Sequence, residues 1–388
     1  FTPCSLLSSM LSSCFKYGKL MTSKGKFSER TAMAIVIANM IGTGIFTSLG
    51  FQLADIRSGF VIMALWALGG LMALCGALCY AELSAKLPRS GGEYNFLSRI
   101  YHPGAGFISG WISATVGFAA PTALAAMTFG TYLASVYPVF NPLWLASVLI
   151  ITITAIHATS HKNSADLQGF FTAGKILLII VFSIAALMAV DSVQNVRYVP
   201  DQSDIPLFTG GAFAVSLIYV SYAYTGWNAA TYLTDELENP KKTLPRVLVV
   251  GTAAVMICYL LLNYVFMAVA PMDAMSGKLE IGYIAATHAF GDIGATIMGV
   301  SLSLLLVSTV SAMIVAAPRV LQVLGEDYSL FKFLSRKNSH QIPAMAIWFQ
   351  SIMALGFLWS ATFESILIFS GATMALNSLV VIFGVFIL

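Results

Sequence analysis

The chain has 388 residues, 58% of them hydrophobic and only 10% charged, with a mean hydropathy of +0.84. A soluble domain carries about 25% charged residues, so a water-soluble globular fold is excluded, and long unbroken apolar stretches exclude a membrane barrel, whose strands read as short alternating segments. The net charge of +3 comes from Lys and Arg scattered through short loops, which removes nucleic-acid binding from consideration.

What remains is an all-α polytopic membrane protein. Phe1 and the unclosed apolar run at Leu388 read as trimmed ends, with Met21 as a candidate natural start. Residues 1–29 are expected to form a cytoplasmic tail, of which 1–20 stand outside the fold. Five cysteines form no disulfide framework; Cys75 and Cys79, one helical turn apart, read as packing residues.

Ten apolar spans can be marked off in residues 30–388, taken as a single domain: 30–54, 59–82, 103–137, 143–158, 167–190, 210–234, 245–270, 281–318, 343–360 and 363–388. The third and eighth are long and must tilt or extend past the bilayer. With the N-terminus inside, only Arg57, Arg197 and Lys278 fall outside, and the other 17 of the 20 Lys and Arg fall inside. That bias follows the positive-inside rule and supports the span assignment.

The first span contains Asn39-Met40-Ile41-Gly42-Thr43-Gly44-Ile45-Phe46. Each Gly costs about 1 kcal/mol against Ala inside a helix, and a backbone freed from its ladder in a bilayer must be satisfied by protein or ligand. Close packing of small residues is the alternative reading of such glycines. A second interruption, Tyr219 to Asn228 with Gly226 inside it, sits in the sixth span, and Gly44 and Gly226 lie 182 positions apart. Two sets of five spans, 30–190 and 210–388, must face opposite ways, so the chain reads as a 5+5 inverted repeat with discontinuous helices 1 and 6.

At the first break, the amides of Thr43, Gly44 and Ile45 with the Thr43 hydroxyl suit a carboxylate. At the second, freed carbonyls of Tyr222, Ala223 and Thr225 suit an ammonium. Together they describe an α-amino acid, its side chain directed toward the third, eighth and tenth spans. No metalloprotease, Walker A or nucleophile-elbow motif is present, so no enzyme activity is expected. Lys175 lies about 12 Å into the fifth span at 1.5 Å per residue and is followed by 15 uncharged residues. Such a lysine faces a cavity or a partner, or snorkels to the surface. Glu82, Arg89 and Glu93 after the second span, with Asp235, Glu236 and Glu238 after the sixth, either pair to close an inner gate or are solvated. Trp227 and Asn228 read as braces of the second break.

Three motifs carry a resemblance. Gly42-Thr43-Gly44-Ile45-Phe46, the run from Tyr80-Ala81-Glu82-Leu83 to Gly91-Gly92-Glu93-Tyr94, and Tyr222-Ala223-Tyr224-Thr225-Gly226-Trp227-Asn228 resemble the amino acid, polyamine and organocation (APC) superfamily, most closely L-type and related bacterial permeases. The resemblance runs from about residue 28 to the end and implies a LeuT-like fold. It places Met40 at the substrate ammonium, Thr43 and Gly44 at the carboxylate, and Tyr222 as gating lid, with Ile41 and Ile45 of the same stretch also counted among the substrate-binding residues. It makes Lys175 the substitute for a bound sodium ion, with Ser311 as its eighth-helix partner. Two departures stand out: helices 11 and 12 are absent, and Thr225 stands where L-type members usually have Gly.

The expected function is sodium-independent secondary transport of neutral amino acids, by exchange or proton-coupled alternating access, in a plasma or inner membrane. A sodium symporter of the same fold, a polyamine or cationic amino acid exchanger, and a non-transporting sensor or channel are the alternatives. No metal or cofactor is expected. A homodimer or an accessory subunit is the open possibility for partners.

Overall fold

The computed structural model describes residues 28–89, 91–159, 164–190, 192–338 and 342–388, and no strand occurs among them. The expected tail, up to residue 27, lies outside the described residues. The helices in order are α1 (Glu29–Met40), α2 (Gly44–Asp55), α3 (Gly59–Lys86), α4 (Glu93–Ile100), α5 (Pro103–Ile112), α6 (Ala120–Val136), α7 (Pro142–Thr159), α8 (Ser164–Ala189), α9 (Gly211–Ala223), α10 (Pro240–Val269), α11 (Ile281–Asp327), α12 (Ala344–Ser360) and α13 (Phe363–Phe383). Local chemistry starts several of them. The Ser58 hydroxyl accepts from the Val61 amide at the head of α3, His102 caps α5 ahead of Pro103, and Pro240 begins α10.

Among the described residues, seven helical stretches are long and apolar enough to cross a membrane, and an eighth is counted if Gln202–Thr209 and Gly211–Ala223, bent by 70°, form one span. The apolar helices Ala173–Ala189 and Ala344–Ser360 are shorter and fall on the fifth and ninth expected spans. The chain is therefore an integral, multi-pass helical membrane protein.

Besides the first, interrupted over 41–43, three expected spans differ from regular helices. The sixth is regular only to Ala223, turns over 224–228, and continues as a 3₁₀ stretch, Ala229–Glu236. The third joins α5 to α6 through a π-helical stretch, Ser113–Ala119. The eighth is not one long tilted rod: Gly291 adopts φ 69° and ψ −165°, which divides α11 in a conformation that glycine tolerates.

The main core gathers α1, α2, α3 and α10. At its centre the Trp66 ring meets Tyr259 edge-on at 5.6 Å, and Tyr224 lies 5.0 Å from Tyr259. Their polar ends are satisfied, as burial demands. The Trp66 indole donates to Gln52 Oε1 at 3.0 Å, and the Tyr224 hydroxyl donates to the Trp66 carbonyl at 3.1 Å.

Candidate substrate site

The two interruptions meet. A Cβ on Gly44 would lie 2.5 Å from Ala223 Cα, and one on Gly226 would lie 2.8 Å from the Asn39 carbonyl. Only glycine permits both approaches, and Gly226 also holds φ +95°. Tyr259 of α10 ties the junction from behind: its hydroxyl reaches the carbonyls of Met40 at 2.5 Å and Ala223 at 3.0 Å. One proton is thus shared by the last carbonyls of the two helices that stop there.

The broken backbone is only partly self-satisfied. The Gly42 amide donates to Met40 and the Phe46 amide to Thr43, while the amides of Thr43, Gly44 and Ile45 donate to no protein acceptor among the described residues. They form the bare N-terminus of α2, where partial positive charge collects. At the second break, the Tyr222 carbonyl accepts from the Thr225 amide at 2.9 Å and the Thr225 hydroxyl at 2.7 Å.

A cleft runs from Tyr222 toward the face where α1 begins, with about 810 Å³ of atom-free space including its open mouth. Its walls are Ile35 and Asn39 of α1, Ser113, Gly117 and Phe118 of the π-helical stretch, Tyr222, Thr225, Gly226, Asn228, Ala229 and Tyr232, Met313 and Ala316 of α11, and Met374 of α13, with exposed Arg319 at the mouth. On the other side of Tyr222 the bundle is shut. Phe51 stacks on Phe363 at 5.8 Å, and the buried Tyr219 donates to Glu364 at 2.6 Å.

Of the expected substrate residues, Tyr222 and Thr225 line this cleft. Met40, Ile41, Thr43, Gly44, Ile45 and Ala223 lie buried just behind it, because the breaks pack against each other. The side chains of Ile41 and Ile45 belong to the core, so any contact from them is through backbone. The Thr43 hydroxyl stands 3.4 Å from that of Tyr222.

Lys175 is buried, 3% exposed, and Nζ donates to Thr309 Oγ1 of α11 at 2.8 Å. Thr309 Cγ2 in turn is the side-chain atom nearest to where a Gly42 Cβ would be. Ser311 is not the partner of Lys175; it pairs with His157 of α7 at 2.7 Å. Residues two apart on a helix point about 200° away from each other, so only one of the two faces α8.

Of the two readings left open for the loop charges, a gate of ion pairs does not form among the described residues. Glu82 pairs with Lys86 within α3 at 3.2 Å, and Arg89 faces Asp327 at 3.9 Å, both exposed. The side chains of Asp235 and Glu236 lie outside the described residues, and Glu238 contributes its carbonyl to Thr243. Glu93 is wholly buried and accepts from the Tyr80 hydroxyl at 3.2 Å, from the Asn228 amide and from the Tyr232 hydroxyl. Trp227 braces the second break, its ring edge-on to Tyr80 at 4.6 Å. Tyr259, Thr309 and the π-helical stretch escaped the sequence reading, since a Tyr or Thr in an apolar span looks like any packed residue.

Comparison with known proteins agrees with this geometry. The family model described as "Amino acid permease" matches residues 27–388. The b(0,+)-type amino acid transporter 1 of Mus musculus is 27% identical over 337 residues, covering 84% of this chain and 68% of its own length. That of Oryctolagus cuniculus is 28% identical over 367 residues, covering 91% and 74%. The large neutral amino acids transporter small subunit 2 of Homo sapiens is 31% identical over 291 residues, 71% of this chain and 52% of its own length, so the chain spans about half of that relative. With a family match over nearly its whole length, and breaks at the two places where the sequence resembles that superfamily, the chain belongs to the amino acid permease family of the APC superfamily.

Proposed function

We propose that the chain carries neutral α-amino acids across a membrane by alternating access, without sodium, by exchange or with protons. The observation that carries this reading is the contact of the two interrupted helices, Gly44 on Ala223, under one shared hydroxyl, Tyr259. The bare amides of Thr43, Gly44 and Ile45 take the substrate carboxylate. The Ala223 carbonyl, with a lone pair beyond the bond from Tyr259, and that of Thr225 take the ammonium, with Met40, whose carbonyl already accepts from Tyr259 and from the Gly42 amide, beside them. Tyr222 covers the substrate as the lid.

The arrangement fits a LeuT-like 5+5 inverted repeat, residues 30–190 and 210–388, with the N-terminus in the cytoplasm. In that orientation the cleft opens inward, and Phe51, Tyr219 and Phe363 form the outer closure. Lys175 supports sodium independence: its buried amine on Thr309, next to the first break, fills with a donor group the place where a cation would otherwise bind. The b(0,+)-type and large neutral amino acids relatives favour an amino acid substrate. Purified protein in liposomes should take up labelled neutral amino acid by counterflow in sodium-free buffer, and Lys175→Ala should lower the rate sharply. Sodium-dependent uptake, or an undiminished Lys175→Ala, would overturn the assignment.

A further inference from the structure

Glu93 opens α4 directly after the second long helix, outside the membrane-spanning stretches. Its carboxylate is 0% exposed and forms no ion pair among the described residues. Oε1 accepts from Tyr80 and Asn228, and Oε2 accepts from Tyr232. The site is built around it. Gly92 holds φ +53°, and a Cβ there would lie 2.6 Å from the Tyr232 ring. On the α3 side the Tyr80 ring is packed edge-on by Phe96 at 5.7 Å, and Ser378 of α13 interacts with its hydroxyl.

The groups around the carboxylate oppose each other. Three donors and the N-terminus of α4 favour the ionised form, whereas burial without a cation favours the neutral one. Burial wins in this arrangement and raises the proton affinity of Glu93 above that of an ordinary glutamate. The other titratable groups in contact are the two tyrosines. The charged groups of this region lie elsewhere: Arg89 faces Asp327, and Arg319 stands at the cleft mouth.

Two of the three donors, Asn228 and Tyr232, belong to the segment that follows the second break, and both line the cleft. The substrate lid and the tether of Glu93 are therefore on one strip of chain, six residues from Tyr222 to Asn228. We infer that Glu93 is a proton-binding site coupled to substrate movement: the cleft supplies a proton through the Tyr232 hydroxyl when the segment carrying Asn228 and Tyr232 shifts, and recovers it when that segment returns. In the uptake step a proton from cleft water adds to the Tyr232 oxygen as the hydroxyl passes its own to Oε2. The carboxylate becomes a carboxylic acid, the tyrosine is regenerated, and one positive charge enters the site. A neutral Glu93 has one acceptor fewer for the strip, which loosens the tether.

This inference rests on the transport reading above and selects the proton as the coupling ion. The test is uptake of a labelled neutral amino acid into sodium-free proteoliposomes with and without an imposed pH gradient, alongside counterflow. Wild type should accumulate substrate when the gradient is imposed. Glu93→Gln, which keeps the size and accepting oxygen of the side chain, should exchange without pH dependence and fail to accumulate. Tyr80→Phe removes one donor from the ionised form, leaves the Tyr232 route in place, and should move the midpoint of the pH profile up by about one unit. Gradient-driven accumulation retained in Glu93→Gln would overturn the proposal, as would wild-type counterflow indifferent to pH. If Glu93→Gln yields no flux, an unmoved midpoint in Tyr80→Phe overturns it and a raised one supports it. Absence of any counterflow in wild type would instead remove the transport reading itself.

Discussion

At the scale of single residues, the two glycines of the first break do different work. A methyl on Gly42 would meet nothing nearer than 3.9 Å, whereas one on Gly44 would be driven into the backbone of Ala223. Gly42→Ala should therefore transport at close to the wild-type rate, and Gly44→Ala should lose most activity while still inserting in the membrane; equal loss in both would refute the contact. Tyr259→Phe removes the only donor to the Met40 and Ala223 carbonyls from α10, at a cost of about 1–3 kcal/mol for a buried acceptor left unpaired. A lowered melting temperature with weaker substrate affinity is expected, and an unchanged melting curve would contradict the role given to that hydroxyl. Both glycines stood out in the sequence because a helix in lipid has little reason to include them. Tyr259 did not, because its neighbours are apolar on both sides and only the fold shows which carbonyls it meets. The partner of Lys175 was misread for a related reason: Thr309 and Ser311 are equally polar in sequence, and the choice depends on the rotation of α11, which sequence periodicity does not fix.

At the scale of elements, what the sequence showed was where helices stop, and what it hid was how those that continue are distorted. The break after Ala223 was legible from Thr225, Gly226 and Asn228 in an apolar run. The π-helical stretch Ser113–Ala119 was not, since its composition is that of an ordinary span and the extra backbone spacing is imposed by packing. Charge was the poorest guide. Glu93 looked like half of an ion pair, but its partners are two hydroxyls and an amide from segments distant in sequence. The closure on the far side of Tyr222 was likewise unread, because Tyr219 and Glu364 lie 145 positions apart. That bond joins α9 to α13, and Tyr219→Phe should weaken the closure. In a variant freed of native cysteines, a cysteine at the buried Leu367 should then react faster with an impermeant maleimide applied from the Glu364 side. Labelling as slow as with Tyr219 intact would show that the aromatic stack of Phe51 and Phe363 closes that face alone.

At the scale of the whole molecule, the chain is a helical bundle with a cleft on one side of a tyrosine and a sealed aromatic plug on the other. An asymmetric passage of this kind has a function only if the two sides can exchange roles, and the elements able to move are those whose backbone is already interrupted: the half-helices around 41–43 and 224–228. The site is built from main-chain groups more than from side chains, which explains why a charged or catalytic motif is missing while the breaks are prominent. On the proposed reading, what it recognises is the two charged ends common to all α-amino acids. The most direct measurement is equilibrium binding of a labelled neutral amino acid to the purified protein in sodium-free buffer, competed by its decarboxylated amine and by its N-acetyl derivative. Neither analogue should compete with wild type, and Gly44→Ala should abolish binding; competition by either analogue as strong as that of the parent amino acid would contradict recognition at the junction of the two broken helices.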